Sequence, residues 1–278
     1  MSMPAPDVEL FNPQGRLPAL ILCDHAGRRV PARLGTLGIS QEALRRHIGW
    51  DIGAADLTRG LAQRLDAPAI LNHVSRLVVD ANRRPLTPAS MPAVSDGCVV
   101  PANQSLGRAE IDRRLREHFF PYHRAIATQI GRMRRAGRVP VIIAVHSFTP
   151  RMNGEDRPWQ VGVLWRGDQR LALPLLARLR RRGDLVVGDN QPYSGLTDFG
   201  FTVTFHAQRP RLPHVMLEIR QDEIASPQAA AAWAELLADA LAGPLQEPSL
   251  WRPFTGDNRP PDAPWSGWRH AGGVDLRP

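Results

Sequence analysis

The feature that most constrains the fold is the apolar run over residues 139–145, which ends abruptly at His146. A shorter run of the same kind, over 19–23, is followed by Asp24 and His25. Continuous apolar runs of this length, bounded by polar residues, are typical of strands buried on both faces of a parallel sheet. The chain therefore predicts an α/β protein whose strands deliver polar side chains at their carboxyl ends.

Amphipathic segments lie between the apolar runs, as a layered fold requires. Ser40 can cap a helix that runs to His47, and 53–65 repeats apolar residues at helical spacing. The longest helical segment, 108–135, is interrupted near Pro121. Further strands are predicted at 69–71, 77–79, 161–165, 185–187, 201–206 and 215–219, and further helices at 171–181 and 227–241. This alternation predicts a three-layer α/β/α sandwich around a mostly parallel mixed sheet.

The pattern along the chain changes in two places. Residues 85–103 are rich in Pro, Ser and Gly and predict a long surface loop, and such loops are commonly functional. After residue 243 the periodicity stops. We therefore expect one catalytic domain over 1–243, with a tail over 244–278 that packs on the domain or is partly ordered. The tail carries Trp251, Trp265 and Trp268.

Composition argues against several classes of function. The net charge of +8 comes entirely from arginine, because the chain has no lysine, and the arginines are spread from Arg16 to Arg277. An unclustered charge predicts no nucleic-acid partner. Two cysteines without metal-ligand spacing, and an opening without a secretory signal pattern, predict a reducing cytoplasmic location. No apolar stretch approaches the roughly 20 residues that span a membrane.

Several predicted strand ends carry residues capable of chemistry. They deliver His25, Asn82-Arg83, His146 and Glu218. In open α/β sheets, ligands bind at the carboxyl ends of strands, and two imidazoles with one carboxylate form a common catalytic zinc site. Asp51 could supply the carboxylate or simply cap the next helix, and Asp24 is the alternative ligand. A buried glutamate such as Glu218 needs a partner or a raised pKa, which suits a general base.

Other residues are candidates for binding substrate. Arg83 and Arg220 can each grip a carboxylate in bidentate fashion, although either could form a structural salt bridge with a nearby aspartate. His206 lies in the alternating run 201–206 and could contact substrate. An isolated histidine is also commonly structural. The remaining histidines lack a strand-end position and are not candidates: His47, His73, His118, His123, His214 and His270.

Seven short segments, in consistent order over about residues 18–224, resemble the N-formylglutamate amidohydrolase family. They are 23–27 (CDHAG), 47–54 (HIGWDIGA), 75–83 (SRLVVDANR), 95–97 (SDG), 146–150 (HSFTP), 190–193 (NQPY) and 217–220 (LEIR). None of these motifs is diagnostic alone, but their order makes the resemblance specific.

The resemblance implies a metal site. The family is similar to zinc carboxypeptidases and aspartoacylase-type deacylases, so the resemblance implies their fold, a bound divalent metal such as zinc, and His25 and His146 as ligands. The His-x-x-Glu motif of the carboxypeptidases is absent, because position 28 is Arg28. The acidic ligand must then come from elsewhere. Asp51 is the first choice, since its segment is part of the resemblance, and Asp24 is the second.

The resemblance also implies an activity, namely hydrolysis of the N-acyl amide of an amino acid such as N-formylglutamate. It implies that Asn82 and Arg83 bind the substrate carboxylate and that Glu218 is the general base, and it adds Arg76 to the substrate-binding candidates. Longer N-acyl amino acids or peptide-like amides are alternative substrates. A ligand-binding relative without catalysis is a further alternative. The expected partner is a small molecule.

Overall fold

The computed structural model of the protein describes residues 6–196 and 200–256. Its strands, in chain order, are β1 (Val8–Phe11), β2 (Ala19–Cys23), β3 (Ala69–Asn72), β4 (Val94–Ser95), β5 (Cys98–Val99), β6 (Val141–Phe148), β7 (Arg151–Met152), β8 (Glu155–Asp156), β9 (Val161–Leu164), β10 (Val187–Asp189) and β11 (His214–Arg220). Two small hairpins are formed by β4 with β5 and by β7 with β8. The other strands form one sheet.

Helices connect and cover this sheet. They are α1 (Gln41–Arg45), α2 (Ala54–Leu65), α3 (Arg108–Arg114), α4 (Phe120–Arg135), α5 (Ala172–Arg181), α6 (Phe201–Val203) and α7 (Pro227–Ala242). One π-helical segment follows α3, at Leu115–Phe119, and another follows α6, at Thr204–Gln208. Short 3-10 segments lie at Ala32–Leu34, Pro88–Ser90, Pro101–Asn103, Gln221–Ile224, Pro244–Gln246 and Pro248–Trp251. Among the described residues, no helix is both long enough and apolar enough to cross a membrane.

The main sheet has seven strands in the order β1-β3-β2-β6-β11-β9-β10. The central neighbours β3, β2, β6 and β11 are parallel, whereas β1 runs antiparallel to β3 and β9 runs antiparallel to β11. The mostly parallel mixed sheet predicted from the sequence is therefore confirmed. In this register Glu218 of β11 lies between His146 of β6 and Gly162 of β9.

Both faces of the sheet are covered, which accounts for the continuous apolar runs. In β2, Ala19, Ile21 and Cys23 face a core formed with α2, α5 and α7, while Leu20 and Leu22 face a second core formed with α4. A strand buried on both sides has no position for a polar side chain until it ends. The three-layer arrangement is thus confirmed, and it confines polar side chains to the strand ends.

The chain before α2 shows how a loop residue reaches the sheet edge. Ser40 caps α1 by accepting a hydrogen bond from the Ala43 amide, as predicted. Gly53 adopts a left-handed conformation with φ of 79° at the start of α2, and a Cβ there would overlap the carbonyl oxygen of Ile224. Only glycine fits such a turn without strain. The turn leaves the Asp51 amide free to donate to the His25 carbonyl oxygen at 3.0 Å.

Two predicted strands are absent. Residues 77–79 form turns, and 201–206 is helical rather than extended. The alternating pattern of 201–206 misleads because its polar and apolar residues are both buried or half-buried, so the alternation does not separate a buried face from an exposed one. The neighbouring strand β11 is already paired on both edges, by β6 and β9, and a helix satisfies the segment's backbone groups without a partner strand.

The loop contains more structure than its sequence predicts, and the described part of the tail lies against the domain. The segment 85–103 contains the β4–β5 hairpin, and Asn103 fastens it by donating from its side-chain amide to the carbonyl oxygens of Leu77 and Pro92. Of the tail tryptophans, Trp251 packs against the core beside α7 and donates to the Leu245 carbonyl oxygen. Trp265 and Trp268 lie outside the described residues.

Candidate active site

Three buried side chains meet at the carboxyl ends of the two central strands. His25 follows β2, His146 lies near the carboxyl end of β6, and Asp51 lies in the loop before α2. The Asp51 Oδ2 atom lies 2.8 Å from His146 Nδ1 and 3.3 Å from His25 Nδ1. The possible ligand atoms of the three residues all lie within 4.8 Å of one another, so they could hold a metal ion. The structure therefore brings these three predicted residues together.

The outward nitrogen of each imidazole faces a second carboxylate. His25 Nε2 lies 2.7 Å from Asp80 Oδ1, and His146 Nε2 lies 3.1 Å from Asp24 Oδ2. Metal-binding histidines commonly use their second nitrogen in this way, which fixes the tautomer and aims the first nitrogen at the metal. Asp24 thus lies on the far side of the His146 ring from Asp51. Sequence reasoning missed the role of Asp80, although the residue stands at a predicted strand end.

Arg76 links the two carboxylates on the His25 side of the cluster. It donates to Asp80 Oδ2 from Nη2 at 2.9 Å and to Asp51 Oδ1 from Nη1 at 3.3 Å. Burial raises the pKa of Asp80, but Arg76 and His25 more than offset this and hold it well below its usual range. Arg76 lines the cleft, and its guanidinium is engaged with Asp80 and Asp51.

The electrostatics of the cluster suit a dication. Burial lowers the pKa of His146, but Asp24 and Asp51 hold it well above its ordinary value, so both ring nitrogens favour protons without a metal. With both imidazoles neutral, the buried carboxylates of Asp24, Asp51 and Asp80 concentrate negative charge around the two rings, and Arg76 and Arg83 offset only part of it. A divalent cation held by these residues would offset more of that charge. Two nitrogens and one carboxylate oxygen match the ligand set of catalytic zinc sites.

Glu218 stands beside this cluster on β11. It is 5% exposed, and its Oε2 has no hydrogen-bond partner among the described residues. Burial raises its pKa to about 7, even though His146 opposes the shift and Asp51 adds to it. A carboxylate with a pKa near neutrality can both accept and return a proton. Glu218 therefore combines a raised pKa with a carboxylate oxygen that has no hydrogen-bond partner among the described residues.

Asn82 and Arg83 lie on the wall of the cleft above the cluster. The Thr202 amide donates to Asn82 Oδ1 at 3.1 Å, and the Phe201 amide donates to the Asn82 carbonyl oxygen at 3.0 Å. The start of α6 therefore sets the orientation of the Asn82 side chain. Gly200 allows this close approach, because a Cβ there would overlap the Asn82 amide.

The other two substrate-binding candidates lie away from the cleft wall. His206 is buried behind it, with Nε2 3.0 Å from His123 Nδ1. Arg220 donates to Asp222 at 2.8 Å and to Glu223 at 3.0 Å, and neither Arg220 nor His206 lines the cleft. Their surroundings favour structural roles for both residues.

The cleft itself has a volume of about 920 Å³. The loop that contains the β4–β5 hairpin forms one wall, and the β6–β7 connection, with Phe148 and Met152, forms another. The segment after β10 contributes Tyr193. This segment packs directly on the face of β9, since a Cβ at Gly162 would overlap the Gln191 carbonyl oxygen. The cleft is larger than a formylated amino acid alone would fill.

The sequence pattern of one family, N-formylglutamate amidohydrolase, matches residues 17–225. The chain belongs to the N-formylglutamate amidohydrolase family. A crystal structure of a gene product from Agrobacterium tumefaciens is 35% identical, with a TM-score of 0.82 over 87% of this chain and 96% of that one. The N-formylglutamate amidohydrolase from Ralstonia eutropha JMP134 shares the fold, with 19% identity and a TM-score of 0.65 over 86% of this chain and 97% of that one. A search of curated proteins gave no match.

Membership of the N-formylglutamate amidohydrolase family makes this chain a hydrolase of amide bonds. The matched region includes every member of the cluster, from His25 through Asp51, Asp80 and His146 to Glu218. The candidate site therefore lies within the region that matches the family.

Proposed function

We propose that the protein is a zinc-dependent amidohydrolase that cleaves the N-acyl amide of an amino acid such as N-formylglutamate. The observation that carries this proposal is the convergence of His25 Nδ1 and His146 Nδ1 on one oxygen of Asp51. Glu218 lies in register beside them. Family membership supports the reaction class, and the ligand set supports the metal.

Each residue has a part in the reaction. His25, Asp51 and His146 would hold the metal, which would supply Lewis acidity and the means to lower the pKa of a water to about 7. Glu218 accepts the proton of the attacking water and returns it to the leaving amine. Asp80 and Asp24 keep both imidazoles in the tautomer that leaves Nδ1 unprotonated.

Asn82 and Arg83 bind the carboxylate of the amino-acid part of the substrate. Both line the cleft, and an arginine fork matches the geometry of a carboxylate. The start of α6 holds the Asn82 amide through its oxygen, which orients the amide before substrate arrives. Such preorganisation reduces the entropy cost of binding.

A second candidate substrate class is an amino acid with a longer acyl chain. The cleft volume of about 920 Å³ favours it, since a formyl group occupies only a small part of that space. The walls near Phe148 and Met152 offer apolar contact for such a chain.

The test measures hydrolysis of N-formyl-, N-acetyl- and N-butyryl-L-glutamate by protein stripped with a chelator and then reloaded with Zn²⁺. We expect activity to require the metal. Full activity of the stripped protein would refute the metal dependence, and no turnover with any N-acyl amino acid would refute the reaction. Glu218→Gln should lower kcat by about 10²–10⁴-fold while zinc content stays unchanged. An unchanged kcat would remove Glu218 from the mechanism.

A further inference from the structure

The phenol of Tyr193 lines the same cleft as Glu218 and the cluster of His25, Asp51 and His146. The residue is 39% exposed and lines the cleft wall. Arg157 Nη1 donates to its hydroxyl oxygen at 3.1 Å. An arginine only donates, so the phenol oxygen is the acceptor in this bond and its own proton remains available. Among the described residues, that O–H has no acceptor.

Arg157 is held in place by neighbours that do not neutralise it. Its guanidinium lies 5.0 Å from the centre of the Tyr193 ring and 6.0 Å from that of Phe148. Nη2 lies 2.9 Å from the sulfur of Met152. No carboxylate of the described residues lies within ion-pair distance of Arg157. The positive charge is therefore directed at the Tyr193 oxygen, which makes its O–H a stronger donor.

The electrostatic surroundings keep this phenol neutral. Burial raises the pKa of Tyr193, the Glu218 carboxylate raises it further, and Arg157 opposes both. Asp51 also raises it. The two carboxylates that act on the phenol are those of the proposed base and of the proposed metal ligand. Tyr193 is thus a protonated donor close to the reacting groups.

We propose that Tyr193 is a catalytic residue that donates a hydrogen bond to the acyl oxygen of the substrate as negative charge develops there, and that Arg157 is the positioning residue behind it. This inference rests on the proposed amide hydrolysis. The phenol keeps its proton throughout, so Glu218 alone carries protons between the water and the leaving amine. A donor aimed at the developing oxyanion acts in the transition state rather than on the bound substrate.

The test compares Tyr193→Phe, Arg157→Gln and the control Arg151→Gln, each loaded with zinc. Arg151 is exposed in the neighbouring hairpin, and its hydrogen bonds go to the Gly154 carbonyl oxygen. Loss of one oxyanion donor typically costs about 10²–10³-fold in kcat. We expect that loss in Tyr193→Phe with KM and zinc content unchanged, a smaller loss in Arg157→Gln, and no change in Arg151→Gln.

The affinity for an unreactive phosphonate analogue is a second measurement, and it should not change if Tyr193 has only a structural role. Under the proposed role, this affinity should fall in Tyr193→Phe by the same factor as kcat/KM, while the affinity of the product amino acid stays constant. A raised KM with unchanged kcat would overturn the inference, and so would wild-type kinetics in Tyr193→Phe. An inactive wild-type protein would overturn the proposed function and this inference with it.

Discussion

Two buried histidine pairs among the described residues have the same ring separation but opposite character, with the rings edge-to-face at 62° in one pair and stacked at 11° in the other. In each pair the ring centroids are 5.2 Å apart: His25 with His146 in the cluster, and His123 with His206 behind the cleft wall. The pKa values of the first pair are raised, whereas burial lowers that of His123 to about 4 and that of His206 well below its ordinary value.

The difference lies in the partners of the rings. Each ring of the first pair contacts two carboxylates. In the second pair, His123 Nε2 lies 3.0 Å from the Ala81 carbonyl oxygen, to which it must donate, so its Nδ1 accepts from His206. Two neutral rings therefore satisfy each other. The comparison teaches that carboxylates, rather than proximity or burial, turn a histidine pair into a place for a cation.

The largest expected effect on zinc binding comes from removing one imidazole ring of each pair. His146→Ala should abolish zinc binding and hydrolysis, because the ligand set loses a nitrogen and leaves Asp51 with a single imidazole partner. His206→Ala should keep stoichiometric zinc. Metal analysis after dialysis measures both. If His206→Ala lost zinc as completely as His146→Ala, the two pairs would not differ in the way proposed.

A smaller effect is expected from the carboxylates behind the rings. Asp80→Asn should weaken zinc binding about 10–100-fold, as is typical when a carboxylate behind a metal-bound histidine is changed. Competition with a chromophoric chelator measures the affinity. Asp222→Asn, which removes an exposed carboxylate paired only with Arg220, is the control. Equal affinities in the two variants would mean that the carboxylate on His25 Nε2 does not tune the site.

The two pairs should also give opposite pH dependences to the stability of the zinc-free protein. The raised pKa values of His25 and His146 contribute stability that is complete below about pH 6.5 and is lost as pH rises through the folded values. The lowered value of His123 acts in the opposite sense, because stability is lost as pH falls from 6.5 towards 4.

Urea unfolding across this pH range separates the two contributions. We expect His123→Phe to weaken the acid-side loss, and zinc to suppress the alkaline-side loss, since the metal replaces the proton on Nδ1. Identical pH profiles in wild type and His123→Phe would contradict the assignment of a neutral, buried ring.

The smallest effect concerns stability at neutral pH. His123→Phe removes the donor to the Ala81 carbonyl oxygen and leaves the His206 Nε2 proton without its acceptor. We expect a loss of about 1–3 kcal/mol in the free energy of unfolding, with zinc affinity unchanged. Thermal or urea denaturation measures it. A gain in stability would show that the histidine pair is not a satisfied element of the core.

The sequence predicted those parts of the molecule that carry a local signal. The continuous apolar runs of β2 and β6 identified buried parallel strands, and parallel strands bring His25 and His146 to one edge. The acidic partner was a choice between Asp51 and Asp24, and the structure places each against His146, on opposite nitrogens. Sequence alone could not show which aspartate faces which nitrogen of His146, because this depends on the rotation of the imidazole ring.

Other parts depend on contacts with no local pattern. His123 and His206 are 83 residues apart, and no local pattern in the chain indicates that they meet. The run that contains His206 was expected to be a strand and is helical, which removes it from the cleft wall. The contacts of Arg76 were also not predictable from local sequence, since its partners Asp51 and Asp80 come together only when the chain folds.

The bare backbone of Gly162 has a consequence for engineering. The segment that carries Tyr193 rests on Gly162 through Gln191, and Glu218 flanks the same glycine on the next strand. Any side chain introduced at this position would displace the Gln191 carbonyl oxygen, and with it the wall that carries Tyr193. A library that seeks new acyl specificity is therefore better directed at the β4–β5 hairpin, on the other wall, where Val94 is 55% exposed and Val99 is 54% exposed.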